Sequence, residues 1–144
     1  MTCTVHELGE LKKYKYVVTF ARYNNKWIVC KHKNRSTWEA SGGHIEQNET
    51  PLDAAKRELR EETGALDFGI EPVCDYSAGG TNGQVFLANV SRLEKIPGGS
   101  EMERINLFDE FPRDLTYPEI TEKLLPRIIV RMQTRELSNK SNMP

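Results

Sequence analysis

Short apolar runs dominate the first third of the chain, give way to a helical period, and then return. From Tyr14 to Cys30 the sequence YKYVVTFARYNNKWIVC is dense in β-branched and aromatic residues, and Asn24-Asn25 interrupts it where a tight turn would sit. That pattern predicts a β-hairpin. Lys31 to Thr37 is a polar, basic exit, Trp38-Glu39-Ala40 suggests a short strand, and Ser41-Gly42-Gly43 reads as a loop. Leu52, Ala55, Leu59 and Thr63 then recur at helical spacing. Thr50 is placed to cap that helix, Pro51 suits its first position, Asp53 completes a capping box, and Gly64 ends it.

Strands are expected around Ile70–Tyr76 and Gln84–Val90, with Gly79-Gly80 and Asn82-Gly83 as turns. Pro97-Gly98-Gly99-Ser100 is a loop, and Arg104–Phe108 reads as a last strand. Pro118 opens a C-terminal helix with Ile120, Leu124, Leu125, Ile128 and Ile129 on its apolar face, and Pro126 is expected to kink or split it. The polar segment SNKSNMP, residues 138–144, reads as a disordered tail. No element is assigned to residues 1–12. Strands on both sides of a central helix predict one mixed α/β layered domain over residues 1–137.

Composition narrows the partners. The 144 residues carry 20 basic and 21 acidic side chains, a net charge of −1, so no global field favours a nucleic acid polymer or an anionic membrane. Cys3, Cys30 and Cys74 are far apart and form no Cys-x-x-Cys pair, which argues for reduced thiols rather than a zinc site or disulfide framework. The N-terminal residues have no apolar signal-peptide core, and no run of about 18 apolar residues occurs. A cytoplasmic protein without a membrane partner is the expectation.

Charge is concentrated locally. Six carboxylates fall between Gly43 and Ala65, in GHIEQNETPLDAAKRELREETGA. Wound at about 100° per residue, Leu52, Ala55, Leu59 and Thr63 form a stripe of roughly 80° for the core. Glu58 and Glu62 lie about 40° apart, with Glu61 about 60° beyond Glu58, beside that stripe rather than opposite it. Like charges at this spacing repel, and they sit at the helix end where the macrodipole disfavours them. A solvated acidic face balanced by Lys56, Arg57 and Arg60 is one reading. A hard divalent cation held by carboxylate and carbonyl oxygens is the other, and Gly42-Gly43 would let backbone approach such an ion closely.

Gly43, Glu49, Arg57, Glu58, Glu61, Glu62 and Gly64 occupy the seven fixed positions of the Nudix box, Gly-x5-Glu-x7-Arg-Glu-U-x-Glu-Glu-x-Gly-U, with Leu59 as the first bulky aliphatic U. The chance probability of seven such matches at a given start is about 10⁻⁹ at ordinary residue usage. The chain thus resembles the Nudix hydrolases, over roughly residues 13–137 when the flanking elements are included. Two positions depart from the pattern: Ala65 is a small closing residue, and Ser41 stands where the family commonly has proline. Both bear on loop shape and helix packing rather than chemistry.

The resemblance implies a Nudix-type α/β/α sandwich with a mixed β-sheet. It implies Mg²⁺, with Mn²⁺ able to substitute, held by Glu58, Glu61, Glu62 and the Gly43 carbonyl, while Glu49 and Arg57 pair to fix the loop against the helix. Attack on a diphosphate by metal-activated water needs a base, and Glu58, Glu101 and Glu103 are the candidates. Lys31, Lys33 and Arg35 could meet phosphate oxygens, although strand alternation lets at most two share a face. His6, His32 and His44 form no ligand-spaced cluster and read as non-catalytic.

The terminal stretch LFDEFPRDLTYPEITEKLLPRI resembles MutT-type members, which convert nucleoside triphosphates, oxidised ones included, to monophosphate and pyrophosphate. Tyr117, Phe86 and Trp38 could stack on a base, or belong to the core. The implied substrate is a small nucleotide, and homodimers are common in the family. Alternatives are hydrolysis of ADP-ribose or a nucleotide sugar, or a non-catalytic Nudix module binding nucleotide or protein. An isopentenyl-diphosphate isomerase is disfavoured by the short chain and the absence of a matching cysteine motif near the box.

Overall fold

The computed structural model describes residues 2–141, and side chains to residue 138. Ten elements follow one another: β1 (Cys3–His6), β2 (Tyr14–Tyr23), β3 (Lys26–His32), β4 (Trp38–Glu39), β5 (Ser41–His44), α1 (Pro51–Thr63), β6 (Ala65–Ala78), β7 (Thr81–Leu93), β8 (Met102–Phe108) and α2 (Pro118–Ser141). The strands form one mixed sheet in the order β1-β6-β7-β2-β3-β4, with β5 added to β2 and β8 to β3. Only β2 and β7 run parallel among the named strand pairs. The α/β/α layering expected from the sequence is therefore present.

Strand alternation sends successive side chains to opposite layers. Phe20, Trp27, Val29, Val85 and Leu87 face α2, where Leu124 and Ile128 meet them. Ala21, Ile28, Ala88 and Val90 face α1 around Leu59, and Val17 and Phe86 pack under Ala54 and Ala55. The predicted hairpin closes through Asn24 and Asn25, with φ of 51° and 61°, a left-handed pair suited to a two-residue hairpin turn.

The α1 start is as expected. Thr50 accepts from the Asp53 amide, and Asp53 accepts in return from the Thr50 amide. Thr50→Ala is expected to cost about 1 kcal/mol and to lower the melting temperature by about 3 °C. An unchanged thermal melt would show that the box adds nothing. Gly64 ends the helix at φ 81° and donates its amide to the Arg60 carbonyl.

Several expectations are corrected. Ser41-Gly42-Gly43 is not a loop but most of β5, paired with Val17, Val18 and Thr19 of β2. Its glycines serve close approach: a Cβ on Gly42 would lie 2.5 Å from the Val17 carbonyl oxygen. Asn82-Gly83 lies inside β7, where a Cβ on Gly83 would enter the ring of its register partner Tyr76. Leu52 is exposed, and Ala54 takes its place in the core. Ile129 is exposed as well.

The other differences are of extent. The helix α2 runs unbroken through Pro126 to Ser141, so the polar segment begins inside it, and residues 142–144 lie outside those described. β6 and β7 extend well beyond the predicted cores, and β1 uses residues with no assigned element, pairing with β6. Among the described residues, no helix is long and apolar enough to cross a membrane.

Candidate active site

The edge of β2 is divided between two partners. Tyr16 to Thr19 pair with β5, whereas Ala21 to Tyr23 pair with β3. The last two turns of α1 lie over this division, bringing Glu58 and Glu62 to the glycine strand. Glu62 is 6% exposed and its Oε1 accepts from the Gly42 amide at 2.8 Å and the Ser41 hydroxyl at 2.9 Å. Burial, with Glu58 nearby, pushes the Glu62 carboxyl up to about 8, although the two hydrogen bonds oppose that rise. Burial also raises Glu58, with Arg57 opposing.

Arg57 is the cation already in place. Its Nε and Nη2 donate to Glu49 at 2.7 and 2.9 Å, its Nη1 donates to Glu58 at 2.6 Å, and Nη2 reaches the His44 carbonyl at 3.1 Å. The paired Glu49 carboxyl is held below its usual range by these bonds. Glu61, more exposed, lies 3.5 Å from the same guanidinium. The expected Glu49–Arg57 pair is therefore formed, and it also reaches the box carboxylates.

Two cavities meet at this point. One, of about 550 Å³, lies between Arg57, Glu58, Glu61 and the Pro97–Ser100 loop. The other, of about 560 Å³, runs over Gly42 and Gly43 towards Tyr16, Tyr76, Arg35 and Tyr117. Glu62 and Glu101 line both. The first is ringed by acids and loop backbone, the second by aromatic and mixed polar groups.

The donor chemistry fits a hard divalent cation: three carboxylates and a strand carbonyl, all oxygen. The fit is also steric. A Cβ at Gly43 would stand 2.7 Å from the Glu58 carboxyl carbon, so only glycine leaves that carboxylate its place against the strand. Among the described residues, no three acidic, cysteine or histidine side chains already converge on one point. Arg57 holds Glu58, while Ser41 and Gly42 hold Glu62.

The remaining sequence candidates separate. Arg35 lines the second cavity, bonded to Glu39 at 3.1 and 3.4 Å, with its guanidinium 5.8 Å from the Tyr117 ring. Tyr117 is 43% exposed and lines the same cavity. Lys31 instead pairs with Glu103 at 3.0 Å, and Lys33 is tied by its amide to the Glu101 carbonyl; neither lines either cavity. Phe86 is wholly core, and Trp38 packs edge-on against Phe108.

Sequence reasoning passed over Glu39, nearly buried against Arg35; His32, read there as non-catalytic, lines the cavity 3.9 Å from Glu101. Strand alternation could have placed His32 on the face of Cys30. Nothing in the spacing could have shown Glu39 turned towards Arg35.

The NUDIX domain profile matches residues 13–100. The chain is similar to YtkD of Bacillus subtilis, provisionally named an 8-oxo-dGTP diphosphatase: 31% identical over 106 residues, 71% of this chain and 66% of YtkD. It is 39% identical over 56 residues to an RNA pyrophosphohydrolase of Bartonella henselae, 33% of this chain and 32% of that protein. These matches thus span less than two thirds of either relative. In fold it is similar to a crystal structure of the Bacillus subtilis pyrophosphohydrolase BsRppH, with a TM-score of 0.73, 23% identity, and coverage of 93% of this chain and 90% of that one.

Proposed function

This chain belongs to the NUDIX domain family, and on that premise we propose that it is a divalent-metal-dependent hydrolase cleaving a nucleoside triphosphate to monophosphate and pyrophosphate. The observation that carries the reading is the meeting of two cavities at Glu62 and Glu101, one acidic and one aromatic. A polyphosphate beside Glu58, Glu61 and Glu62 would place its nucleoside along Gly42–Gly43 towards Tyr16, Tyr76 and Tyr117. An 8-oxoguanine nucleotide is the first substrate to try, since YtkD bears that designation.

Glu58, Glu61, Glu62 and the Gly43 carbonyl would hold Mg²⁺, or Mn²⁺ in its place. When bound, such an ion would supply neutralisation of phosphate charge and a lowered pKa for its water ligand. Arg57 anchors Glu58 and Glu49 so that the loop before α1 keeps its place against the helix. Glu101 lines both cavities and is free of the Arg57 web, so it is positioned to take the proton of the attacking water. The water oxygen bonds to one phosphorus of the anhydride between the α and β phosphoryl groups, the bridging P–O bond breaks, and the departing phosphate oxygen keeps the electron pair.

The test is release of phosphate and pyrophosphate with Mg²⁺ from a panel. It contains ordinary and 8-oxo nucleoside triphosphates, ADP-ribose, a nucleotide sugar, a dinucleoside polyphosphate and a 5′-triphosphorylated RNA. Pyrophosphate released from a triphosphate is the expected result. Turnover of ADP-ribose or the sugar alone would replace the substrate, and binding without turnover of any member would replace the enzyme with a binding module.

A further inference from the structure

Ser41 departs from the family pattern, and its place in the fold gives that departure a consequence. It is 2% exposed, and its hydroxyl donates to Glu62 Oε1 beside the Gly42 amide, which donates to the same oxygen. One carboxylate oxygen is therefore held by two donors, while no hydrogen bond to Oε2 is formed among the described residues. A proline at position 41 would have no hydroxyl and would leave Glu62 with the Gly42 amide alone.

The neighbouring hydroxyl sharpens the contrast. Thr19 is the register partner of Ser41, so the two side chains share a face of the sheet. Thr19 Oγ1 is buried and makes no hydrogen bond. Of these two hydroxyls, only Ser41's reaches the carboxylate.

We infer that Ser41 is a positioning residue of the cation site, locking Glu62 through Oε1 so that Oε2 alone is presented to the divalent ion. This rests on the metal-dependent reading above. The lock acts before the ion arrives. It fixes the carboxylate torsion on the side facing the strand and makes Glu62 a one-oxygen ligand, which leaves room for water and phosphate oxygens around the ion.

The test is Mn²⁺ binding, followed by the electron paramagnetic resonance signal of the free ion, for wild type, Glu62→Gln, Ser41→Ala and Ser41→Thr, with thermal melts of each metal-free protein. Ser41→Ala removes one oxygen and needs no rearrangement, so it is expected to fold. The expected result is an Mn²⁺ dissociation constant raised about tenfold in Ser41→Ala, the size of one charge-assisted hydrogen bond. Ser41→Thr should bring it back towards wild type.

Unchanged affinity in Ser41→Ala, with Glu62→Gln weakened, overturns the inference and leaves the functional reading standing. Weaker binding matched by a collapsed melting temperature and no recovery in Ser41→Thr also overturns it, because the role is then structural. If wild type and Glu62→Gln bind Mn²⁺ equally, the metal-site reading fails and this inference with it.

Discussion

Glu62→Gln is expected to lower kcat by at least about 10³-fold and, in metal-free protein, to raise stability at pH 8. The two effects have one cause. Glu62 is buried at the end of α1 beside Glu58, and its carboxyl is raised to about 8. A raised carboxyl binds its proton more tightly in the folded state than in the unfolded chain, where it titrates near 4.3. Below that value Glu62 is neutral in both states and costs nothing. As pH climbs towards about 8, the unfolded chain ionises first, so stability drains away.

Glutamine removes that penalty. Its carbonyl can still accept from Ser41 and Gly42 where Oε1 does now, and its amide cannot serve a cation. The stabilisation at pH 8 should be on the order of 5 kcal/mol and should vanish near pH 4. Thermal melts in chelator across pH would measure it. A difference between the two proteins that did not change with pH would mean that Glu62 titrates in the folded protein as it does in the unfolded chain. Mg²⁺ should raise the wild-type melting temperature and leave the variant's unmoved, because a ligand stabilises only the state that binds it.

A carboxylate kept at a site where burial and neighbouring acids oppose its charge is what distinguishes a binding group from a solvated surface glutamate. That distinction was half legible in the sequence. Helical winding put Glu58, Glu61 and Glu62 on one side of α1, and the box spacing matched all its fixed positions, because both depend only on local periodicity. The hairpin, the capping box and the Gly64 stop were legible for the same reason.

What periodicity could not show is where glycine means approach rather than turn. Ser41-Gly42-Gly43 and Asn82-Gly83 have the composition of turns, yet both lie in strands whose partners come too close for a Cβ. The exposure of Leu52 was hidden too, since the stripe's centre depends on the angle at which α1 crosses the sheet. The separation of Lys31 and Lys33 from the cavities follows from a partner strand, β8, whose register brings Glu103 to Lys31.

The two glycines of β5 should respond differently to the same added methyl. At Gly42 the new Cβ would meet the Val17 carbonyl oxygen at 2.5 Å, a backbone atom of the central strand that cannot retreat without breaking the β2–β5 pairing. At Gly43 it would meet the Glu58 carboxylate, at 2.7 to 3.0 Å, the mobile end of a side chain. Gly43→Ala should therefore keep its fold and melting temperature, within about 1 kcal/mol of wild type. It should lose about 10²-fold in kcat, because Glu58 is driven from the strand and from the oxygens it shares the site with. Gly42→Ala should instead melt much lower or fail to fold. Measured together by thermal melts and steady-state rates, a Gly43→Ala protein with full activity would place the acting carboxylate elsewhere. One that lost stability as severely as Gly42→Ala would show that Glu58 is held too rigidly to yield.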